Sequence, residues 1–453
     1  TFSSMSRFIT ESRALVKLAA PMALTQFFIM GMGFLDTAMA GRYSATDLAG
    51  VALGGNILWP IFMLTAGITM ALTPITAQLR GANREHEIGA LVRQGIWIAL
   101  GASLVTVVLV TQAGTVFQWM AIDRDAISIA DQYLDAAAWG IPTVFVYVTL
   151  RYTSEGLGHT VSPMVIVAFA LAVNAFLNYA FIYGRFGAPE LGGVGCGYAT
   201  AIVMWLELLL MTTQLFRPHF RRTRVTARFD LPNIASIANI FRIGLPIGLS
   251  SFISMAIFSV IGFMVGTLGV VPLAAHSIAG NINWATFVIP MAIGGAASIR
   301  VGFAVGAGDY AGARAVGATA LKLALGYALL VSLLLVLYRD DVVSLYSQDA
   351  DVLSIAATLI LIIAVYQIAD ATQGTAIGSL RGYKDTRAPM IFALVGYWVI
   401  ALPIAAYLGF GDYGVYGFWA GMAIGAALVA LASGLRLRST SRNDDRIKQF
   451  SAL

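Results

Sequence analysis

The chain has 453 residues, of which 58% are hydrophobic and only 11% are charged. A soluble protein of ordinary composition carries about 25% charged residues, so this composition excludes a soluble globular protein and indicates a membrane protein. The formal net charge of +5 does not point to nucleic acid, because the basic residues lie at the ends of the apolar segments.

Cysteine and histidine usage argues against a disulfide framework and against a metal cofactor. The single cysteine, Cys196, cannot form an internal disulfide, and the four histidines form no ligand pair at helical spacing. We therefore expect no cofactor.

Long apolar segments follow one another along the whole chain, and most exceed the roughly 18 residues that cross a bilayer as a helix. They lack the alternating pattern of transmembrane β-strands, which argues against a barrel. The sequence predicts an all-α membrane protein with twelve transmembrane helices, at 14–38, 48–72, 93–115, 130–150, 161–183, 194–215, 240–268, 273–298, 315–338, 352–375, 388–409 and 414–436.

The distribution of Arg and Lys predicts the orientation of these helices. An even number of spans places both termini on one side of the membrane, together with the loop after each even-numbered span. Basic residues concentrate on the cytoplasmic side. We expect the termini to be cytoplasmic, because only four of the 28 basic residues then lie outside, namely Arg42, Arg124, Arg185 and Arg339.

The two halves of the chain are repeats. Shifted by 225 positions, Pro21 meets Pro246, and the Gly-Asn-Ile-x-Trp pattern at 55–59 meets the same pattern at 280–284. Each repeat holds six spans, so we expect two pseudo-symmetric six-helix lobes, related by an axis along the membrane normal, with a cleft between them. The predicted parts are a cytoplasmic N-terminal segment, an N-lobe, a basic linker, a C-lobe and a cytoplasmic tail, at 1–13, 14–216, 217–238, 239–436 and 437–453.

The basic linker allows two interpretations. It is either a topology anchor between the lobes or a contact with lipid or a regulator. Its basic residues, with the one that follows it, are Arg217, Arg221, Arg222, Arg224, Arg228 and Arg242.

Two acids lie within predicted spans, Asp36 in the first and Asp370 in the tenth. Acids in the membrane are rare and by default mark an ion or substrate path. In the repeat, Asp36 corresponds to Ile261 and Asp370 to Val144, so each lobe is expected to hold its own polar site. The structural alternative for Asp36 is an interfacial acid that caps the next segment.

Polar residues on other spans could complete these sites. Asn174 and Asn178 are spaced i, i+4 and therefore share one helix face. They could form a hydrogen-bond network around Asp36, or they could simply hold helices together. Thr200 and Tyr133 are weaker candidates of the same kind.

Two further residues, Tyr366 and Glu207, complete the candidate set. Tyr366, one turn before Asp370, could supply a hydroxyl to the C-lobe site, whose helix is polar in any case because of Gln367 and Gln373. Glu207 is a third buried-acid candidate, which we expect to face a watery cytoplasmic vestibule.

Several motifs occur in an order and spacing that resemble the multidrug and toxic compound extrusion (MATE) family, in its bacterial NorM branch. The resemblance covers essentially the whole chain. It is carried by Pro21-x-x-Leu24-Thr25-Gln26, Asp36-Thr37-x-Met39-Ala40-Gly41, Ala274-Ala275-His276 and Ser298-Ile299-Arg300-Val301-Gly302.

The resemblance implies a secondary transporter of the bacterial inner (plasma) membrane, and not an enzyme. Such proteins export organic cations, dyes and fluoroquinolone-like drugs in exchange for H⁺ or Na⁺, as two lobes alternate between inward-open and outward-open states. Membrane lipids would be further partners, no nucleic acid is expected, and the protein is expected to be a monomer.

The resemblance also assigns the candidate site residues. Asp36, Asn174, Asn178 and Thr200 fall on the family's N-lobe cation site, and Asp370 falls on its C-lobe acid. If the ion is Na⁺, Asp36 and Asn178 would be the metal ligands.

One departure bears on the coupling ion. Where many NorM relatives carry a glutamate on the seventh helix, this chain has Ser254, which we assign to the C-lobe site as a neighbour of Asp370 and Tyr366. A hard cation prefers several oxygens with enough negative charge, so the loss of that acid favours H⁺ over Na⁺.

Two other functions share some of these features. A flippase for lipid-linked precursors would require a basic central cleft, but few Arg residues lie within spans. An intramembrane aspartyl protease would require two carboxylates that share one water. No Gly-x-Gly-Asp stretch surrounds either Asp36 or Asp370.

Overall fold

The computed structural model describes residues 2–452, and side chains from residue 5 onwards. Within that range the chain is helical and has no strand. Among the described residues, eleven helices are long and apolar enough to cross a membrane, and a bent pair of helices makes twelve when it is counted as one span. The predicted fold class, an all-α membrane protein with two six-helix lobes, is confirmed.

The chain divides into two compact units. The first, here called the N unit, is Leu24–Gly248, and the second, the C unit, consists of the residues up to Ala23 together with those from Leu249 onwards. The helices of the N unit include parts of α1 (Phe2–Tyr43) and α11 (Ile234–Gly266), and all of α2 (Ala45–Thr69), α3 (Leu72–Gly81), α4 (Ile88–Thr111), α5 (Ala113–Phe117), α6 (Arg124–Ala138), α7 (Ile141–Gly156), α8 (Val161–Tyr183), α9 (Val194–Gln214) and α10 (Pro218–Arg221), with a 3₁₀ turn at Glu85–Glu87.

The C unit contains the remaining parts of α1 and α11 and the second half of the helices. These are α12 (Val270–Gly306), α13 (Tyr310–Leu337), α14 (Arg339–Ser344), α15 (Ala350–Gly382), α16 (Arg387–Ala393), a π-helical segment (Leu394–Ala401), α17 (Leu402–Phe410), α18 (Val415–Ser441) and α19 (Asp444–Ser451).

The units divide inside two helices, and not at the predicted linker 217–238, which lies within the N unit. In α11, the residues before the division pack on α2, because Gly244 and Gly248 let the backbone approach the carbonyl oxygens of Ile68 and Leu64, where a Cβ would clash. In the C unit, the first part of α1 is held by the ion pair of Glu11 with Arg300 at 2.7 Å.

The predicted fourth span is a bent pair. Helices α6 and α7 meet at an angle of 55° around Trp139 and Gly140. Pro142, the second residue of α7, has no N–H to continue the preceding helix, which accounts for the break. A Cβ at Gly140 would come within 2.8 Å of the Cα of Ala201, so glycine allows α9 to pack against the bend.

Most helices extend beyond their predicted spans, because hydropathy detects only the apolar part of a helix. Side-chain caps fix several of the true ends. Ser44 and Asp349 accept hydrogen bonds from backbone N–H groups in the first turns of α2 and α15. Gly184 ends α8 in the left-handed conformation, with φ +63°.

Candidate functional site

The N unit holds a buried acid, Asp36, in the later part of α1. This residue is only 7% exposed. Asn178 on α8 donates a hydrogen bond from Nδ2 to Oδ1 of Asp36 over 2.7 Å, and Asn174 donates to the same oxygen over 3.3 Å. Because both donors are neutral, they stabilise the carboxylate without cancelling its charge. The site therefore keeps a negative charge that a proton or cation can neutralise.

The two amides are oriented by each other as well as by Asp36. Nδ2 of Asn178 also donates to Oδ1 of Asn174 over 3.3 Å. Both amides therefore present their NH₂ groups, and not their oxygens, to the carboxylate. The remaining oxygen of Asn178, Oδ1, is buried and has no hydrogen-bond partner.

Residues from α6 and α9 surround the same carboxylate. Thr200 lies within hydrogen-bonding range of Asp36 and Tyr133, and its hydroxyl is buried. The Sγ of Cys196 donates to the backbone oxygen of Asp36 over 3.5 Å. Tyr133 is almost fully buried against Gly54 on α2, where a Cβ would meet its ring. The five predicted N-lobe residues thus lie together.

This arrangement can hold a proton without rearrangement, since a carboxyl needs no new ligand. A Na⁺ ion would need several oxygens around it. Asp36 could supply one, but the amides of Asn174 and Asn178 would have to turn their oxygens towards it. The donor set therefore fits a proton better than Na⁺.

The C unit holds a second buried acid, Asp370 on α15, also 7% exposed. Its Oδ1 accepts a hydrogen bond from Nε2 of Gln373 over 2.6 Å, and the same Nε2 donates to the hydroxyl of Tyr397 over 2.6 Å. The side chain of Asn283 on α12 hydrogen-bonds to Asp370. Again the donors are neutral.

Tyr366 lies next to Asp370 and Tyr397, as the sequence predicts for a neighbour of the acid. Its ring packs edge-on against Phe258 at 6.4 Å and against Trp419 at 5.8 Å. Ser254, which was assigned to this site, is half-buried on α11 and forms none of the hydrogen bonds of this cluster.

Gln367 belongs to a separate contact on the same helix. Its Nε2 donates to the hydroxyl of Ser332 over 2.6 Å. Glu207, the third candidate acid, is 6% exposed on α9, near Arg151 and Tyr147 of α7.

Two residues of the C-unit site are absent from the predicted set, Asn283 and Tyr397. The internal repeat could have indicated Asn283. It occupies the variable position of the Gly-Asn-Ile-x-Trp pattern, where the other repeat has the buried apolar residue Leu58. Tyr397 lies in the π-helical segment. Such segments are frequent at functional sites, but helical periodicity does not reveal them.

Comparison with known proteins identifies the family. A model of the MatE family matches the chain twice, over residues 21–180 and 246–407, which together make up more than half of its length. The chain belongs to the MatE family. The matches begin 225 positions apart, which is the spacing of the internal repeat.

Two curated relatives of this MatE protein are similar over almost their whole length. The chain is 38% identical to the multidrug resistance protein NorM of Aliivibrio fischeri over 449 residues, covering 98% of each chain. It is also 38% identical to the multidrug resistance protein MdtK of Edwardsiella ictaluri over 445 residues, covering 97% of each. The predicted resemblance to the NorM branch is confirmed.

Among solved structures, this MatE protein shares its fold with the eukaryotic MATE transporter AtDTX14. The TM-score is 0.88 at 19% identity, and the match covers 98% of this chain and 100% of that one. Asp36, Asn174 and Asn178 lie in the first region matched by the family model and Asp370 and Tyr397 in the second.

Proposed function

We propose that this protein is a multidrug efflux carrier that exports organic cations and related drugs in exchange for protons. The observation that carries the proposal is the buried carboxylate of Asp36, which is held only by neutral donors. Membership of the MatE family and the names of the two bacterial relatives support the choice of drugs as substrates.

Exchange follows from mutually exclusive states of the protein. When a proton from outside binds Asp36, the carboxylate loses its charge, and the hydrogen bonds from Asn174 and Asn178 weaken because their acceptor is no longer ionised. The N unit then rearranges and releases the drug outward. Loss of the proton to the inside restores the negative charge and favours binding of the next cationic drug.

Protons are proposed as the coupling ion because the two amides present NH₂ groups to Asp36, which a metal cation would have to displace. In the C unit, Ser254 brings no charge where an acid would strengthen a Na⁺ site. Asp370 is proposed as a second proton-binding group, with Tyr366, Gln373 and Asn283 as its neighbours.

Alternating access requires each unit to move, and the chain offers bendable points where it passes between units. These points follow Ala23 and Gly248, which are equivalent in the repeat, and each comes shortly after a proline inside a helix, Pro21 or Pro246. Prolines remove a backbone hydrogen bond and allow a helix to bend there.

The orientation and setting are part of the proposal. Arg and Lys placement supports cytoplasmic termini in a bacterial inner membrane. Membrane lipids are the expected neighbours of the apolar surface, and the protein is proposed to work as a monomer.

The driving force depends on how many protons enter per drug. One proton exchanged for one monovalent drug moves no net charge, so only the pH gradient contributes, at about 1.4 kcal/mol per pH unit, or tenfold in drug concentration. A second proton adds the same pH contribution again, and it also adds the membrane potential, about 2.3 kcal/mol per 100 mV, or roughly fifty-fold.

The test uses purified protein in proteoliposomes, with ethidium as the drug and with gradients of pH and Na⁺ imposed separately. We expect a pH gradient to drive efflux and Asp36→Asn to abolish it. The matched control is Asp412→Asn, which changes an exposed acid in the loop before α18. Transport at the normal rate by Asp36→Asn, or transport driven by Na⁺ alone, would refute the proposal.

A further inference from the structure

We propose that Glu207 is the inner proton-binding group of the N unit, which receives the proton from Asp36 and passes it to the cytoplasmic side. This inference rests on the proton exchange proposed above, and it assigns a place on the route to an acid that the exchange mechanism does not use.

Glu207 lies on α9, the helix that also carries two residues of the Asp36 site. Cys196 and Thr200, which both lie beside Asp36, are followed along the same helix by Met204 and Glu207. The spacing of four, four and three residues keeps all of them on one helix face. At about 1.5 Å per residue, Glu207 lies about 10 Å further along the helix axis than Thr200.

Glu207 lies near a buried ion pair. Arg151, whose charge acts on Glu207, is already paired with Glu155 over 2.8 Å, and both residues of this ion pair are buried. Among the described residues, Glu207 forms no ion pair of its own. Glu207 can therefore gain or lose a proton. The three side chains of Arg151, Glu155 and Glu207 together carry one negative charge in excess when both glutamates are ionised, and none when one glutamate is protonated.

A buried hydroxyl group lies beside each of the two acids. The hydroxyl of Tyr147, near Glu207, is buried and has no hydrogen-bond partner among the described residues, and the buried hydroxyl of Thr200 lies within hydrogen-bonding range of Asp36. Buried polar groups in proteins are almost always satisfied, often by internal water. The hydroxyl of Tyr147 is therefore suited to hold a water molecule beside Glu207, and the hydroxyl of Thr200 is suited to pass a proton between such water and Asp36.

Met204 lies between Thr200 and Glu207 on this face of α9. Its sulfur lies where a Cβ at Gly140 would contact it, at the bend between α6 and α7. A methionine side chain is flexible, so a change at the bend can open or close the connection. The relay is then interrupted when the side chain of Met204 moves away from Gly140 into the space between Thr200 and Glu207.

Protons and charges balance when the proton moves from Asp36 to Glu207. The Asp36 carboxyl gives its proton to the water chain and becomes a carboxylate, while the Glu207 carboxylate takes a proton from the other end and becomes a carboxyl. No net charge is created in the unit during this step. Glu207 next releases its proton to the cytoplasmic solution, and the carboxylate returns to the influence of Arg151.

The experiment compares two reactions of the full-length protein in proteoliposomes, with radiolabelled tetraphenylphosphonium as the drug. Drug counterflow at equal pH uses only drug-bound states and needs no proton release, whereas accumulation driven by a pH gradient does. We expect Glu207→Gln to keep counterflow within twofold of the wild type and to lose at least tenfold in the gradient-driven reaction. Glu207→Asp should recover part of that loss, and Asp412→Asn should change neither reaction.

Two outcomes would overturn the relay. Equal losses in both reactions would show that Glu207 acts in folding or drug binding, and full retention of both would show that the proton does not need it. The proposed function is tested by a different variant, because normal gradient-driven transport by Asp36→Asn would overturn proton exchange whatever Glu207→Gln does.

Discussion

Asn178 donates a 2.7 Å hydrogen bond to the buried carboxylate of Asp36, and no arginine or lysine forms an ion pair with that acid among the described residues. Asp385 shows the contrast. It is equally buried, but it accepts from Arg436 over 2.6 Å and from Thr440 over 3.0 Å, and so its charge is cancelled within the protein. A permanent pair of this kind stabilises structure, whereas an unpaired buried carboxylate can exchange its counter-charge.

The first prediction concerns the amide donors. Asn178→Ala removes a hydrogen bond to the ionised form of Asp36, so the protonated form becomes relatively more stable and persists to higher pH. A hydrogen bond to a charged group contributes about 1.5–3 kcal/mol, so the midpoint of the pH profile of drug efflux should move up by at least about one pH unit. Asn174→Ala, whose bond is longer, should move it less. A shift to lower pH would contradict this interpretation.

The second prediction concerns Arg151, which forms an ion pair with Glu155 and lies near Glu207. Glu155→Gln should destabilise the protein, because breaking a buried ion pair costs about 3–5 kcal/mol. If Glu207 takes over part of the pairing, the loss will be smaller than that, and the double variant Glu155→Gln, Glu207→Gln should lose more than the two single variants together. Thermal midpoints in detergent measure this, and strict additivity would show that the two acids do not share Arg151.

The third prediction uses two histidines outside the spans. His159 and His219 stack with ring centroids 3.8 Å apart and an interplanar angle of 20°. Burial, followed by the charges of His159 and Arg217, lowers the pKa of His219 to about 4. Burial and then Arg80 lower the pKa of His159. Both rings are therefore neutral in the folded protein near pH 7.

Because the histidine pKa is lower in the folded protein, the unfolded chain binds more protons than the folded protein between the two pKa values. The folded protein therefore has its full stability above about pH 6.5 and loses stability as the pH falls towards 4. We expect the thermal midpoint to fall across that window. His219→Phe keeps an aromatic ring for stacking but cannot titrate, so its midpoint should depend less on pH. His86→Gln, on an exposed turn, is the control. The same slope in the wild type and in His219→Phe would disprove this source of pH dependence.

The sequence was informative about the N-unit site because its signals are local. Asp36 is an acid in an apolar run, and Asn174 and Asn178 share a helix face through their spacing alone. The C-unit site depends on residues brought together by packing. Tyr397 reaches Gln373 from a π-helical segment, which no apolar periodicity predicts. The sequence also did not predict the boundaries of the two units. Hydropathy indicates where a helix crosses the membrane, but it does not indicate which neighbouring helices it packs against.

The last prediction separates the two acids by the charge that each moves. If Asp36 and Asp370 each carry one proton per transport cycle, the wild type exchanges two protons for one monovalent drug and moves one net charge. Asp370→Asn would leave one proton per drug. Its gradient-driven transport should then continue but no longer respond to membrane potential.

This prediction can be measured in proteoliposomes with a fixed pH gradient and a potassium diffusion potential set by valinomycin. At about 100 mV the wild type should gain about 2.3 kcal/mol in driving force, or roughly fifty-fold in the steady drug gradient, and Asp370→Asn should gain nothing. Asp412→Asn should respond to the potential as the wild type does. A potential response that survives in Asp370→Asn would mean that the second proton is carried elsewhere, and abolished transport would mean that Asp370 is needed for the drug itself.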